Sequence, residues 1–204
     1  MTTEIRHIVY DIGHVLVHYD PLVPFSRIIP DPEKRARFFA EVCTDAWNHE
    51  QDRGRPWPEA EAEAIARHPE EAENIRAFRA HWDEMIPYAY EDSVALYQSL
   101  IAAGHDVTLL TNFAPDTFRI CRTRYPFLDE GRGITVSGEV GMVKPDRDIF
   151  DRHVETFGLA PEATLFIDDK AVNVEGAKTA GWNAVRFTGA DALKADLAGF
   201  GITA

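Results

Sequence analysis

The chain has 204 residues, of which 45% are hydrophobic and 27% charged, as in a globular protein with one sizeable core. The net charge of −13 argues against nucleic acid as a partner, because phosphate backbones are bound by an excess of Lys and Arg. No apolar run approaches the roughly 18 residues of a membrane span and no signal core opens the chain, so we expect no membrane partner. Cys43 and Cys121 lack metal-type spacing, so we expect reduced thiols and a cytoplasmic location.

The first predicted element is a buried strand over residues 5–10, an apolar run that ends directly before Asp11. Residues 18–90 then show no strand pattern and are rich in Glu, Ala, Arg, Trp and Pro. Helical patterns in this region cover residues 32–45, 58–67 and 69–85. We therefore predict a helical cap domain, residues 18–90, inserted after the first strand. Insertions at the carboxyl ends of parallel strands overhang the crevice in which α/β folds bind ligands.

Strands and helices alternate beyond residue 90. Helical periodicity covers residues 91–104, 146–158 and 171–181, and further apolar runs predict strands at 107–110, 134–137, 164–167 and 184–187. This alternation implies crossover connections and a parallel sheet that is covered on both faces. The predicted fold class is α/β, a doubly wound Rossmann-like sheet with an inserted helical cap. Residues 1–17 and 91–204 would form its core domain.

Polar residues follow these strands in a pattern that predicts chemistry. Asp11 follows the first strand, Thr111-Asn112 the second, and Asp168-Asp169 the fourth, whereas Lys144 precedes the 146–158 helix. In a parallel sheet the strand ends share one edge, so these residues would meet in one crevice. Crowded carboxylates repel each other, and a hard cation such as Mg²⁺ relieves the repulsion while leaving sites for phosphate oxygens.

The sequence also resembles a known family. The order D-x-G-x-V (11–15), T-N, K-P and D-D resembles the four motifs of the haloacid dehalogenase-like hydrolases, and residues 138–187 are similar to that superfamily along their whole length. Within the cap, WNHEQDRG (47–54) is similar to a segment of the subgroup that includes bacterial α-D-glucose-1-phosphate phosphatases. That subgroup resembles this chain in having Gly at the position of Gly13, where most relatives have a second Asp.

The resemblance implies roles for the three catalytic candidates. Asp11 would be the nucleophile, Thr111 would donate its hydroxyl to a phosphate oxygen, and Lys144 would bridge Asp11 and the phosphoryl group. A carboxylate that attacks phosphorus forms an aspartyl phosphate, which water then hydrolyses.

The resemblance also implies the ligands of Mg²⁺ and a substrate-binding set. Asp11, Asp168 and Asp169 would bind the ion with their carboxylates, and Gly13 with its backbone carbonyl. The predicted substrate-binding residues are Asn112, His14, Trp47 and His49. His14 could also exchange a proton, because an imidazole titrates near neutral pH. His153 lies on the apolar face of its helix and is predicted to be a core residue.

The predicted function is a Mg²⁺-dependent phosphomonoester hydrolase that acts on a small phosphorylated metabolite, such as a sugar phosphate. A 2-haloacid dehalogenase is the rival enzyme, but members with that activity carry a Ser-rich segment where this chain has Asp168-Asp169. Gly13 disfavours a phosphomutase, which needs the missing acid, and supports a third alternative, a non-catalytic binding protein. A response-regulator receiver domain is disfavoured, since its paired acids precede the phosphoacceptor.

Overall fold

A computed structural model describes residues 4–203 and contains a five-stranded sheet in which all neighbouring strands are parallel. The strands are β1 (His7–Tyr10), β2 (Asp106–Thr111), β3 (Ile134–Val136), β4 (Thr164–Asp168) and β5 (Asn183–Arg186). Their order is β3-β2-β1-β4-β5, so the chain crosses from one side of β1 to the other between β3 and β4. Such a reversal opens a crevice at the carboxyl ends of the strands. The prediction of a doubly wound, Rossmann-like α/β fold is confirmed.

All five predicted strands are present, and their bounds differ from the prediction by at most two residues. β4 is buried at each of its positions, and β2 at every position after Asp106. Strands covered by helices on both faces read as continuous apolar runs rather than as alternating patterns. This is why the short strands were recognisable in the sequence.

Helices occupy most of residues 18–90, which we call the helical insertion. They are α1 (Leu22–Ile28), α2 (Pro32–Arg37), α3 (Asp45–Asp52), α4 (Trp57–Arg67) and α5 (Ala72–Ala80). The predicted helix over 32–45 is wrong in extent, because a π-helical turn follows α2 and Thr44 begins a new helix by accepting a hydrogen bond from Trp47 N at 3.1 Å. The predicted helix over 69–85 is likewise reduced to α5 between two 3₁₀ turns.

The helices after the insertion are α6 (Glu91–Ala102), α7 (Pro115–Arg124), α8 (Ser137–Val140), α9 (Arg147–Phe157), α10 (Ala171–Thr179) and α11 (Ala190–Gly199). The three helices predicted in this part of the chain correspond to α6, α9 and α10. The sequence analysis missed α7, α11 and the four-residue α8. α7 buries only Thr117, Phe118 and Cys121 among ten mostly polar residues, so it carries little apolar periodicity.

The insertion leaves the sheet and returns to it along two adjacent segments. Val17 pairs with Ala89 in an antiparallel bridge. Next to this bridge, His18 N donates to Tyr88 O at 3.0 Å, and Tyr90 N donates to Leu16 O at 2.9 Å. These contacts hold the insertion at the edge of the sheet where β1 ends.

Two hydrophobic clusters lie on opposite faces of the sheet. The smaller cluster includes Val9 and Phe166 of the sheet and Phe150 of α9. The larger one begins at Tyr10 and Ile167 and continues without a break into the helical insertion, where it includes Phe25, Phe38, Trp47, Trp57, Phe78 and Trp82. The insertion therefore shares its core with the sheet. The division into a core domain and a cap domain at residues 17/18 and 90/91 stays a prediction.

Cys43 and Cys121 are both buried and form no disulfide, as the sequence analysis expected. Over residues 4–203, the helices are all too short or too polar to cross a bilayer.

Candidate active site

Two neighbouring strands bring the acidic residues together. Asp11 directly follows β1 and donates its backbone N–H to Ile167 O of β4 at 2.9 Å. Asp168 is the last residue of β4, and Asp169 follows it. Because adjacent parallel strands end at the same edge of the sheet, the three carboxyl groups converge, and oxygens from all three lie within 4.8 Å of one another.

Lys144 lies inside this acidic cluster. Its side chain is 1% exposed, and its Nζ lies 2.8 Å from Asp11 Oδ1 and 2.8 Å from Asp168 Oδ2. The same ammonium group donates a hydrogen bond to Leu110 O at 3.0 Å. One positive charge faces three carboxylates, so the cluster keeps an excess of negative charge when all three acids are ionised.

Asn112 fixes the backbone of this lysine. Its Oδ1 accepts a hydrogen bond from Lys144 N at 2.9 Å, and its Nδ2 donates to Lys144 O at 3.0 Å. Asn112 also lines the cavity above the acids. Its amide is committed to Lys144, so it positions the lysine; direct contact with a substrate stays a prediction.

The cluster shifts the pKa values of its members in different directions. Burial raises the pKa of Asp11 to about 7 against the opposing effect of Lys144, and the charge of Asp168 raises it further. For Asp168, burial works in the same direction, but Lys144 and hydrogen bonds from Lys170 N and Asn173 hold its pKa below the usual range. Burial also disfavours the charged form of Lys144, yet its two carboxylate partners keep its pKa above the ordinary value. Asp168 and Lys144 thus form a charged pair, and Asp11 is the acid that another cation would ionise.

The acidic cluster fits a divalent cation. Asp169 Oδ1 is buried and accepts no hydrogen bond from the described residues, and burial together with the charge of Asp168 raises the pKa of Asp169. A buried carboxylate oxygen without a partner is costly unless a donor or a cation satisfies it. Asn173 orients the carboxylate of Asp168, since its Nδ2 lies 3.0 Å from each carboxylate oxygen.

Packing does not require the glycine at position 13. A Cβ built on Gly13 would meet no atom within 4 Å apart from its chain neighbours, and the backbone there is not in the left-handed region. A side chain would therefore fit at this position. The missing carboxylate is a chemical feature of this site rather than a consequence of crowding.

A cavity of about 610 Å³ lies between the strand ends and the helical insertion. The sheet side contributes most of the predicted catalytic and metal-binding residues, namely Asp11, Gly13, Thr111, Lys144 and Asp169, together with Asn112 of the predicted substrate-binding set. Thr111 is buried at the end of β2, and Asp168 lies fully buried behind the cavity wall. The insertion contributes both polar and aromatic groups: Tyr19, Asn48, His49, Asp52, Phe78 and Trp82.

The two predicted substrate-binding residues of the insertion differ in whether they line the cavity. His49 lines the cavity, where burial and the charge of Arg53 lower its pKa. Trp47 does not line it. The Trp47 ring is 6% exposed, packs 5.7 Å from the Trp57 ring and 5.4 Å from the Phe78 ring, and directs its Nε1–H towards Ala60 O. The prediction for Trp47 rested on the similarity of residues 47–54 to a family segment and is wrong, because the Trp47 ring packs inwards against α4 and α5.

His14 lies in the cavity wall beside Gly13. Its φ of 57° is left-handed, a conformation that non-glycine residues rarely adopt. Burial lowers the pKa of the His14 imidazole, although the charge of Asp169 opposes this effect. At neutral pH the ring is therefore uncharged.

Asp52 is a residue of the site that was not among the predicted site residues. It ends α3 and lines the cavity, whereas the sequence analysis considered it only within residues 47–54, through the similarity of that segment to one subgroup. Its position in DRG, where an acid is followed by a basic residue and a turn glycine, is typical of a surface helix end. Only the docking of α3 over the strand ends turns Asp52 towards the acids.

A model of the haloacid dehalogenase-like hydrolases matches residues 5–181. The chain belongs to this family. Over 191 residues the hydrolase is 25% identical to sesquiterpene phosphatase astK of Aspergillus oryzae, a match that covers 92% of each protein. It is 33% identical over 97 residues to phosphoserine phosphatase of Thermus thermophilus, and this match covers 47% of the chain and 39% of that relative. The chain thus spans well under half the length of the second relative.

Solved structures resemble the hydrolase over nearly its whole length. The enzyme bt-2542 of Bacteroides thetaiotaomicron superimposes with a TM-score of 0.72 at 22% identity, covering 90% of this chain and 94% of that one. The wild-type form of bt-2542 in complex with magnesium and inorganic phosphate gives a TM-score of 0.69 at 22% identity, with 89% and 93% covered. At this level of identity, the similarity describes the fold.

Proposed function

We propose that this hydrolase is a Mg²⁺-dependent phosphomonoesterase that acts on a small phosphorylated metabolite. The observation that carries the proposal is the cluster of Asp11, Asp168, Asp169 and Lys144 at the strand ends, of which all but the buried Asp168 line one cavity. Bound by the three carboxylates and the Gly13 carbonyl, Mg²⁺ would neutralise negative charge and polarise the phosphoryl group. The names of the relatives, a sesquiterpene phosphatase and a phosphoserine phosphatase, support phosphoryl chemistry, as does the magnesium and phosphate complex of bt-2542.

The residues of the chain suit a nucleophilic mechanism. Asp11 Oδ1 accepts hydrogen bonds from Ile12 N at 2.7 Å and from Lys144 Nζ at 2.8 Å. Asp11 Oδ2 accepts none from the part of the chain described. The carboxylate is held by one oxygen, so it can present a defined lone pair to phosphorus and form an aspartyl phosphate. Lys144 and the Thr111 hydroxyl would donate to the phosphoryl oxygens as charge develops on them.

The cavity also supports a sugar phosphate as the substrate class. His14, Asn48 and His49 place polar groups around the space beyond the acids, and such groups can bind the hydroxyls of a sugar. The similarity of residues 47–54 to the glucose-1-phosphate phosphatase subgroup points the same way. The two unbridged thiols support a reducing compartment, for which we propose the cytoplasm.

The test measures phosphate release from 4-nitrophenyl phosphate and from a panel of sugar phosphates, with Mg²⁺ and with EDTA. We expect activity with Mg²⁺ alone and a loss of more than about 10³-fold in kcat for D11N. D148N, which removes an exposed aspartate from α9, serves as the control and should keep full activity. Mg²⁺ should also raise the melting temperature of the wild-type protein, and less so that of D169N.

The same experiment separates the alternatives. Chloride release from 2-chloropropionate without phosphate release would identify a dehalogenase, and the proposal would be wrong. A protein that binds Mg²⁺ but releases neither phosphate nor chloride from any substrate would be a binding protein on this fold. The Asp168-Asp169 pair argues against the dehalogenase, whose chemistry needs no metal-binding acids.

A further inference from the structure

The proposed reaction leaves one proton without a donor. When the ester oxygen leaves phosphorus, it must be protonated unless the alcohol is a good leaving group. Gly13 has no side chain to supply that proton. The helical insertion places two further carboxyl groups in the cavity lining. The first, of Asp45, is exposed to solvent at the start of α3, whereas the second is half-buried at the end of the same helix.

That carboxyl group belongs to Asp52, and several contacts hold the segment that carries it. Ser137 Oγ donates to the Asp52 carbonyl oxygen at 2.5 Å. The next residue, Arg53, forms an ion pair with Asp146 at 3.1 Å. Gly54 follows with a φ of 106°, and a Cβ on it would lie 2.9 Å from Gly138 O. The left-handed turn and the close approach both require glycine at position 54, so the DRG sequence fixes the end of α3 against the sheet side of the site.

The surroundings of Asp52 keep its carboxyl group neutral. None of the lysines and arginines between residues 4 and 203 forms an ion pair with it. Burial in the cavity raises the pKa of Asp52 to about 8, against the opposing effects of Lys170 and the Ala114 N–H, while the charge of Asp11 raises it further. Lys144 also faces Asp52 and lowers its pKa, and Tyr19 lies close enough to sense its charge. This raised pKa favours the protonated form of Asp52 at neutral pH.

The other titratable groups of the cavity wall are poorer donors. Burial lowers the pKa of both His14 and His49, so each imidazole is neutral at pH 7 and gives up a proton far less readily than a carboxylic acid. Asp169 has a raised pKa as well, but it belongs to the predicted metal-binding set. Asp45 also lines the cavity but is exposed to solvent, so Asp52 is the half-buried acid that the insertion adds to the cavity lining.

We infer that Asp52 is the proton donor of the reaction, in place of the carboxylate missing at Gly13; this rests on the proposed phosphatase function. In the first step an Asp11 oxygen forms a bond to phosphorus, the bond between phosphorus and the ester oxygen breaks, and the Asp52 proton moves to that oxygen. The alcohol then leaves. In the second step water attacks the aspartyl phosphate, its proton returns to Asp52, and inorganic phosphate is released with Asp11 restored.

The test compares leaving groups in D52N, which keeps the size and polarity of the side chain but has no proton to give. We would measure kcat/KM for a series of phosphate monoesters from 4-nitrophenyl through phenyl to alkyl phosphates, because kcat/KM reports the step in which the ester bond breaks. D52N should lower kcat/KM for alkyl phosphates by about 10²–10⁴-fold and change it little for 4-nitrophenyl phosphate. D52E, which keeps the acid, should restore part of the loss.

The control is E50Q, which removes an exposed carboxylate from the same helix outside the cavity. It should leave the dependence on leaving group unchanged. If D52N lowered kcat/KM equally for all the esters, Asp52 would bind the substrate or position the insertion, and the inference would be overturned. An unchanged kcat/KM for every ester would overturn it too. A wild-type protein inactive towards every ester would refute the proposed function instead, so the two failures are distinguishable.

Discussion

The buried imidazole of His153 should make the fold sensitive to acid, and replacing it by Gln should remove that sensitivity. The ring is fully buried on α9. Its Nε2 lies 2.9 Å from Thr108 Oγ1 of β2, and its Nδ1 lies 2.8 Å from Thr135 Oγ1 of β3. His153 therefore ties one helix to two strands, including the strand that carries Thr111. A neutral ring satisfies both contacts, with one nitrogen donating and the other accepting.

The size of the effect follows from linkage. Burial lowers the pKa of His153 from 6.5 to about 3, and the charges of Arg132 and Lys144 act in the same direction. Below pH 6.5 the unfolded chain takes up a proton that the folded protein does not bind until about pH 3. The stabilisation present above that window is lost as the pH falls through it, by about 1.4 kcal/mol per unit. The loss attributable to His153 is then about 2 kcal/mol at pH 5 and about 3 kcal/mol at pH 4.

The assay is denaturant unfolding of the metal-free wild-type protein and of H153Q at several values between pH 7 and pH 4. Carboxylates such as Asp11 and Asp168 contribute to both curves, so they cancel in the difference. The free energy of unfolding of the wild-type protein minus that of H153Q should decrease by about 2 kcal/mol between pH 7 and pH 5. A difference that stayed constant over this range would mean that folding does not hold His153 neutral, and the reasoning from burial would be refuted.

Three further predictions concern the site. K144M should lower kcat by about 10²–10³-fold and the free energy of unfolding by about 3–5 kcal/mol, because two buried carboxylates lose their shared cation; activity and denaturant unfolding measure the two effects. N173A should weaken Mg²⁺ binding by about 10–100-fold, since Asp168 would lose the amide that orients it; a Mg²⁺ titration followed by tryptophan fluorescence checks this. W47F should lower the free energy of unfolding by about 1–3 kcal/mol and leave KM unchanged. H49A should instead raise KM and leave the free energy of unfolding nearly unchanged. Equal effects of the two variants on KM would contradict the different placements of the two side chains.

The strand ends were predictable because sequence and topology carry the same information there. Asp11, Thr111 and Asp168 each follow a short apolar run, and parallel strands place such positions at one edge regardless of what lies between them. The convergence of residues far apart in sequence therefore needed no knowledge of side-chain packing. Lys144 was found through its motif, since nothing in its local periodicity indicates that it is buried.

The insertion was predicted less well, for physical reasons. Its helices are short, so a π-helical turn at Phe38–Val42 and a capping threonine at Thr44 break a pattern that reads as one helix. Which faces of such helices turn inwards depends on packing between them. This is why Trp47 was assigned to the cavity although it packs between helices, and why Asp52 was not selected although it lines the cavity.

The hydrophobic cluster that joins the sheet to the insertion limits how far this enzyme could be shortened by deleting the insertion. Val17 and Ala89 lie side by side, so excising the residues between them and closing the gap would be geometrically simple. The excision would nevertheless divide one hydrophobic cluster, which contains Tyr10 and Ile167 of the sheet as well as Phe25 and Phe78 of the insertion, and apolar surface exposed in this way promotes aggregation. A minimal version of the enzyme would require a resurfaced sheet, because the insertion is at once the roof of the active site and part of the core.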